Sequence, residues 1–293
     1  MSGCIVLSND DGIEAPPLHA VADILIEMGE EVIIVAPDEN RSACGMSLTL
    51  RKPLRLENHQ ELEKNGLRVF SLAGTPADCA IAVGDGLLGE LGIDSKPKLL
   101  LSGINLGSNM SIDSLHSGTI AAAREAGLYG IPSIAVSLTS FDDSGMPRAL
   151  LGTKILLENI LPLIPSEPSN WPRDLNKEVE DDALKSFLAG ESFLNINIPT
   201  DWNGNFRNTR LGRRHYLGAL SFSENHVEIG ASEIINGVQE GGDVDATVAG
   251  YASISLLGSH PSQHPDHPPA TVFEQHLEEN DGMPIWFQQL SRT

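Results

Sequence analysis

Basic residues are scarce in this 293-residue chain: 19 Lys and Arg stand against 40 Asp and Glu, a formal net charge of −21. Such a surface repels nucleic-acid polymers and anionic bilayers and favours solubility. It does not exclude a small phosphorylated ligand, because a bound cation or a helix N-terminus reverses the local potential. Cysteine is scarce as well. Cys4, Cys44 and Cys79 lie far apart and form no CxxC pair, which argues against a disulfide framework or a zinc knuckle and suits a reducing cytoplasm. No run of ~18 apolar residues occurs, and the opening MSGCIVLSND lacks a basic stretch followed by a long apolar one, so neither a membrane span nor a signal peptide is expected. No GxxxxGK[ST] exists, which removes a P-loop. The reading is a soluble, cytoplasmic protein.

What the chain does have is an alternation of short apolar strands with helical segments. CIVLS is an unbroken strand of the kind buried on both faces of a parallel sheet. Leu18, Val21, Ala22 and Leu25 then follow the i, i+3, i+4, i+7 spacing of one helical face, Gly29 stops the helix, and EVIIVAP supplies the next strand. LTLRKPLRL reads as an exposed strand or hairpin arm and LRVFSLAG as another strand. In GTPAD, Thr75, Pro76 and Asp78 occupy the N-cap, N1 and N3 of a capping box. PKLLLSGIN, IAAAREAGLYG and IPSIAVSL continue the alternation. This predicts an α/β fold with a Rossmann-like, doubly wound, mostly parallel sheet in three αβα layers, whose ligands sit at the carboxyl ends of the strands. The catalytic core is expected over residues 1–198, with a variable surface excursion at about 164–190 before FLNINIP returns to the core. NTRLGRRHY and GYASISLL suggest a C-terminal β extension over 199–257, able to pack on the core or on a partner subunit, and 258–293 forms a tail.

Three loops should open on one edge of this sheet: SNDDG, PDENRS and SGINLGSN. Asp10, Asp11, the Ser42 hydroxyl and the Asn105 amide together make a hard-oxygen ligand set suited to magnesium or manganese. Adjacent carboxylates at a strand end repel and ask for a cation. A turn or helix cap would also place aspartate before glycine. At HSGT, Ser117, Gly118 and Thr119 open a helix whose free N–H groups can hold a phosphate, although capping alone explains Ser and Thr there.

At these residues the chain resembles the survival protein SurE family of metal-dependent 5'-nucleotidases. The matching pieces are LSNDDGIEAP, VAPDENRSACGMSLTL, GTPADC, LSGINLGSNMSIDSLHSGTIAAAREA, GIPSIAVS, LNINIP, TRLGRRHY and DVDATVAGYASISLL, in the family's order from residue 5 to about 257. The resemblance implies a phosphohydrolase acting on nucleoside monophosphates, with one divalent ion per subunit on Asp10, Asp11, Ser42 and Asn105. It also implies a homodimer or homotetramer joined through the C-terminal β segment. Activity toward 3'-nucleotides and short polyphosphate would be an extension. One departure stands out: where the family usually has histidine after the metal-binding serine, Met46 stands in CGMS. His116 is the remaining imidazole nearby. A nucleotide sensor that binds without turnover is the alternative that Met46 motivates.

In the expected mechanism, Asp10 or Asp11 orients or deprotonates the attacking water, while Asn9, Asn105 and the Ser117–Thr119 amides hold phosphate oxygens. Rival signals are weaker. DVDATV imitates the nucleophilic box of haloacid-dehalogenase-type phosphatases but does not end a buried strand. GDGLLG satisfies GxGxxG by letters yet is expected to fall inside a helix. HPSQHPDHPP is able to take up zinc, but reads as a solvated tail without a role. Arg207, Arg210, Arg213, Arg214 and His215 form a basic cluster that is read as reaching substrate phosphate, a neighbouring subunit, or simply solvent.

Overall fold

The computed structural model describes residues 3–167, 171–230 and 233–278. Its first strand, β1 (Cys4–Ser8), is buried throughout. Ile5 and Leu7 enter one apolar cluster, and Cys4 and Val6 enter a second on the opposite face, as a strand covered on both sides requires. Helix α1 (Pro16–Glu27) follows, and its buried residues are Leu18, Val21, Ala22 and Leu25, the four that helical spacing selects. Just beyond it Gly29 has a φ of +85°, a left-handed stop that glycine adopts without steric cost.

Strand β2 (Val32–Pro37) lies parallel to β1. The expected strand at LTLRKPLRL is corrected: β3 is Leu56–Asn58, so only the last residue of that stretch is in a ladder. Pro53 has no N–H to donate and Arg51 sits at φ +60°, both unsuited to an extended pair. Strand β4 (Arg68–Leu72) precedes helix α2 (Pro76–Gly84). Here the capping box is present, with Asp78 N donating to Thr75 Oγ1 at 3.1 Å and Thr75 N donating to Asp78 Oδ2 at 2.8 Å. Helix α2 ends at Gly84, and Gly86, at φ +100°, separates it from α3 (Leu87–Glu90). GDGLLG therefore straddles a junction between two helices rather than lying inside one, and no strand precedes it.

Strand β5 (Pro97–Leu106), helix α4 (Gly118–Leu128), strand β6 (Ser133–Leu138) and helix α5 (Met146–Ile160) extend the alternation. Helix α6 (Ala183–Leu188) lies within the stretch expected to be a surface excursion, yet its Phe187 is fully buried in the core, so that stretch is anchored at its end. Then come β7 (Ser192–Ile198), β8 (Phe206–Thr209), β9 (Arg213–Leu217), β10 (Leu220–Ser223), β11 (His226–Ile229) and β12 (Glu233–Gly237). Helix α7 (Asp243–Val248), strand β13 (Ala252–Gly258) and helix α8 (Ala270–Glu278) complete the described chain.

The central sheet runs β3-β4-β2-β1-β5-β6-β7-β13-β8. It is parallel from β4 to β7, with β3 antiparallel at one edge and β13 antiparallel to β7 near the other. Helices α1 and α5 cover one face, and α2 and α4 the other. This is the three-layer, mostly parallel α/β architecture that the alternation predicts. The sheet takes strands from both sides of residue 198, since β13 and β8 add to β7, while β9–β12 form two separate antiparallel pairs outside it. Strand order reverses between β1 and β5, which defines the crevice where a ligand of such a fold binds. Among the described residues no helix is long and apolar enough to cross a membrane.

Candidate active site

The loop after β1 and the end of β5 meet at that reversal point. Asp10, 3 % exposed, lies directly past β1. Thr119 Oγ1 donates to its Oδ1 at 2.6 Å, and backbone N–H groups of Gly118 and Thr119 also bond to the carboxylate. Asp10 therefore occupies the N-terminus of α4, the anion position that the sequence offers to a phosphate. The Ser117 hydroxyl is likewise engaged, accepting from Ile120 N at 3.0 Å as the N-cap. Gly118 makes this approach possible: a Cβ there would lie 2.7 Å from Asp10 Cβ and 2.9 Å from Asp10 Oδ2.

Asp11 sits beside it, half-buried, and its carboxyl is pushed up to about 6 by burial and then by the Asp10 charge. Asp10 is also raised by burial, against the pull of its Thr119 and Gly118 hydrogen bonds. Burial and mutual repulsion thus disfavour the charged form of both carboxyls, and a positive charge beside them would favour it. Asn9 holds the turn that presents them: its Nδ2 donates to Gly12 O at 2.9 Å and its Oδ1 accepts from Gly12 N at 3.2 Å. Gly12 at φ +102° completes that turn.

The loop after β2 folds over this pair. Arg41 N donates to Asp10 O at 2.6 Å and Gly45 N to His116 O at 2.9 Å, which brings Ser42 to the cavity and Cys44 against Gly118. Ala43 and Gly45 both take positive φ, at 58° and 56°. Asn105 stands at the end of β5, where the ladder to β6 is displaced between Ser102 and Asn105. Gly103 permits that displacement, since a Cβ there would collide with the Val136 carbonyl oxygen. Asn105 Nδ2 donates to Gly107 O at 2.8 Å, leaving its Oδ1 available as a ligand.

Asp10, Ser42, Asn105 and Ser117 line one cavity of about 530 Å³, within the range of small-molecule sites. Asn9, Asp11, Gly118 and Thr119 are not among the residues that line it. His116 is on the wall, whereas Met46 is half-buried and not part of it. The far wall comes from residues that the sequence did not single out for the site: Ser108, Asn109, Asp113, Phe141 and Tyr216. Tyr216 Oη donates to Asp113 Oδ1 at 2.6 Å, and Arg214 Nη1 donates to Asp113 Oδ2 at 2.8 Å and to Ser108 Oγ at 2.6 Å. Of the five basic residues read as a cluster, Arg214 thus braces the cavity wall, while Arg207 stacks on Tyr251 with its guanidinium carbon 3.7 Å from the ring centroid. Phe141 is 81 % exposed and its ring lies against Gly107 at the mouth.

DVDATV forms α7 and is no strand-end nucleophile. Asp243 accepts from Gly212 N at 2.7 Å, Ser111 N at 3.1 Å and Val244 N at 2.8 Å, fixing the segment that carries Asp113 and His116 to the turn before β9.

The chain matches the family model described as "Survival protein SurE" over residues 5–218. It is 36 % identical over 264 residues to a "5'-nucleotidase SurE" of Caldanaerobacter subterraneus subsp. tengcongensis, covering 86 % of this chain and 90 % of that one. It is 39 % identical over 195 residues to a "5'-nucleotidase SurE" of Cyanothece sp., covering 67 % and 62 %. Its fold superposes on the "Sure Protein from Aquifex aeolicus" with a TM-score of 0.67 at 28 % identity, covering 89 % of this chain and 95 % of that one. With the paired aspartates at the reversal point of the sheet and agreement in sequence and fold across most of its length, the chain belongs to the SurE family.

Proposed function

We propose that this protein is a metal-dependent phosphomonoesterase that hydrolyses nucleoside 5'-monophosphates to nucleoside and phosphate. The observation that carries the reading is Asp10: a buried carboxylate held by Thr119 and the N-terminus of α4, facing Ser42 and Asn105 across one cavity. The names of its relatives support the substrate class.

The residues present fit a divalent ion. Asp10, Asp11, Ser42 and Asn105 all offer oxygen atoms, which suits magnesium or manganese, and a cation would offset the burial and repulsion that raise the Asp10 and Asp11 carboxyls. When bound, such an ion supplies charge neutralisation and an acidified water. The chain's own groups do the rest. Thr119 and the α4 amides keep the Asp10 carboxylate turned toward the cavity, and Arg41 N fixes its backbone. Asp10 or Asp11, both with carboxyls raised by burial, orients the attacking water or takes its proton. His116, on the wall, is the imidazole able to return a proton to the leaving oxygen. Phosphate oxygens are held by Asn105 and by Ser117 at the start of α4, the Gly118 and Thr119 amides being taken by Asp10. Phe141 offers an exposed ring on which a base can stack.

A homodimer or homotetramer is supported by β10 and β11: all eight residues are exposed, including Phe222 at 75 % and Ile229 at 82 %. A two-stranded ribbon of this kind is marginal alone and gains from a neighbour. The experiment is phosphate release from 5'-AMP, 5'-GMP, 3'-AMP, tripolyphosphate and p-nitrophenyl phosphate with Mg²⁺, Mn²⁺ or EDTA. Metal-dependent release, fastest from the 5'-nucleotides, is expected. Tight 5'-nucleotide binding without release under any metal would replace the enzyme by a sensor.

A further inference from the structure

The histidines of HPSQHPDHPP are read from sequence as a solvated tail; residues 261–265 are exposed, whereas His260 is not. The His260 side chain is only 9 % exposed, and its Nδ1 is buried without a hydrogen-bond partner. Its ring stacks on that of His264 with centroids 4.5 Å apart and planes at 24°. Asp266 closes the group: its Oδ2 lies 3.8 Å from His260 Nε2 and 4.0 Å from His264 Nδ1. One ligand atom from each of the three residues fits within 4.8 Å of the others.

The backbone holds these side chains in place although the segment is rich in proline. Ser259 is tied to the core through its N–H to Glu191 O at 2.9 Å and its hydroxyl to Gly190 O at 2.7 Å. His264 N donates to Pro261 O, His267 N donates to His264 O, and the His267 ring bonds to His260 O at 2.8 Å. Asp266 N donates to His264 Nδ1 at 3.1 Å, a hydrogen bond that a metal ion on that nitrogen would displace. Arg173, from the 164–190 stretch, approaches Asp266 Oδ2 at 3.4 Å, while its buried Nε and Nη1 are unpartnered. No group in this cluster comes closer than 3.4 Å to the Asp266 carboxylate oxygen they share. Two imidazoles and a carboxylate converge without a hydrogen bond between their side chains, and a buried polar atom left without a partner is costly.

We propose that His260, His264 and Asp266 form a second metal site, distinct from the oxygen-lined cavity and taking a borderline divalent ion such as zinc. Imidazole nitrogens with one carboxylate are the zinc donor set, bonded at about 2.0–2.2 Å, whereas magnesium prefers an all-oxygen shell. Two ligands on one tetrahedral zinc stand about 3.4 Å apart, so the two contacts to Asp266 Oδ2, at 3.8 and 4.0 Å, need to close by only a few tenths of an ångström. The site's role is structural: it fastens the chain after β13, and with it α8, to the body of the protein. An anion is the poorer occupant, because the Asp266 carboxylate faces each of the other members.

The test is equilibrium dialysis of the full chain with Zn²⁺ in excess Mg²⁺, in an Asp10→Asn, Asp11→Asn background that weakens the first site. His264→Ala is the diagnostic change, because that side chain is 45 % exposed and the backbone bonds of residue 264 do not depend on it. One zinc per chain is expected, with affinity falling by at least about tenfold on adding His264→Ala, since even outer partners of a metal contribute 10–100-fold. Zinc should also raise the melting temperature of the natural chain and not of the otherwise natural His264→Ala protein, whose phosphate release should be unchanged. The proposal fails if no stoichiometric zinc binds in excess Mg²⁺, or if His264→Ala binds it equally. Stabilisation by inorganic phosphate in place of zinc would equally overturn it in favour of an anion site.

Discussion

Gly118→Ala isolates the contact between α4 and Asp10. The added methyl would stand 2.7 Å from Asp10 Cβ, 2.9 Å from Asp10 Oδ2 and 3.0 Å from Cys44 Sγ, where ordinary contact begins at 3.4 Å. Asp10 must therefore retreat by about 0.7 Å, the difference between 3.4 and 2.7 Å, or α4 must slide away from it. Either movement stretches the 2.6 Å bond from Thr119 Oγ1 and the backbone bonds from Gly118 and Thr119. Residue 118 has helical backbone geometry, so alanine introduces no φ strain, and its helix propensity exceeds that of glycine by up to about 1 kcal/mol. The fold should survive, and the loss should fall on the site. A misplacement approaching 1 Å costs roughly 10²-fold, or about 2.7 kcal/mol of transition-state stabilisation. The assay is kcat/KM for 5'-AMP in Mn²⁺, with far-UV circular dichroism and the melting temperature as controls. An alanine variant within about threefold of the natural protein would refute the claim that this approach positions the metal-bearing carboxylate.

Thr119→Val keeps the branched shape but removes the hydroxyl from Asp10, and Mn²⁺ affinity by calorimetry should fall about 10–100-fold, as for other outer partners of metals. Mn²⁺ affinity should also fall as pH drops through about 6, because Asp11 takes up a proton that the cation must displace, and Asp10, whose carboxyl burial also raises, competes in the same sense. The sign reverses for metal-free stability. The folded protein binds the Asp11 proton more tightly than the unfolded chain does, so this group adds stability below pH 4 that is lost as pH rises through about 6; pH-dependent melting in EDTA checks it. Phe141→Ala should raise KM for 5'-AMP by about fivefold or more through loss of stacking, and leave p-nitrophenyl phosphate nearly unaffected. Asp243→Asn turns a donor toward Gly212 N or Ser111 N, and should lower stability by about 1–3 kcal/mol in urea unfolding while loosening the wall that carries Asp113.

Local signals were readable where they act locally. The α1 spacing and the Thr75 capping box both name their own partners within a few residues, and the structure has both. The loop carrying Ser42 was also legible, because strand alternation alone sends the ends of β1, β2 and β5 to one edge. Long-range packing was not. Nothing in GYASISLL announces that β13 runs antiparallel between β7 and β8, and nothing in RRHYL shows that Tyr216 reaches Asp113, 103 residues earlier. Thr119 and Gly118 were found as site residues for a phosphate, whereas the structure gives their donors to Asp10; a helix N-terminus attracts whichever anion lies nearest, and here that anion is in the chain itself. The burial of His260 was not legible either, since the Ser259 contacts with residues 190 and 191 that precede it are long-range and composition does not reveal them.

The central claim is that Asp10 anchors a cation that hydrolyses phosphomonoesters. It is tested most directly by phosphate release from 5'-AMP by the natural chain and by Asp10→Asn, each with Mn²⁺, Mg²⁺ or EDTA. The account predicts release with metal, none with EDTA, and a loss of at least about 10²-fold in the variant. Equal release in EDTA, or an Asp10→Asn variant as active as the natural chain, would contradict it.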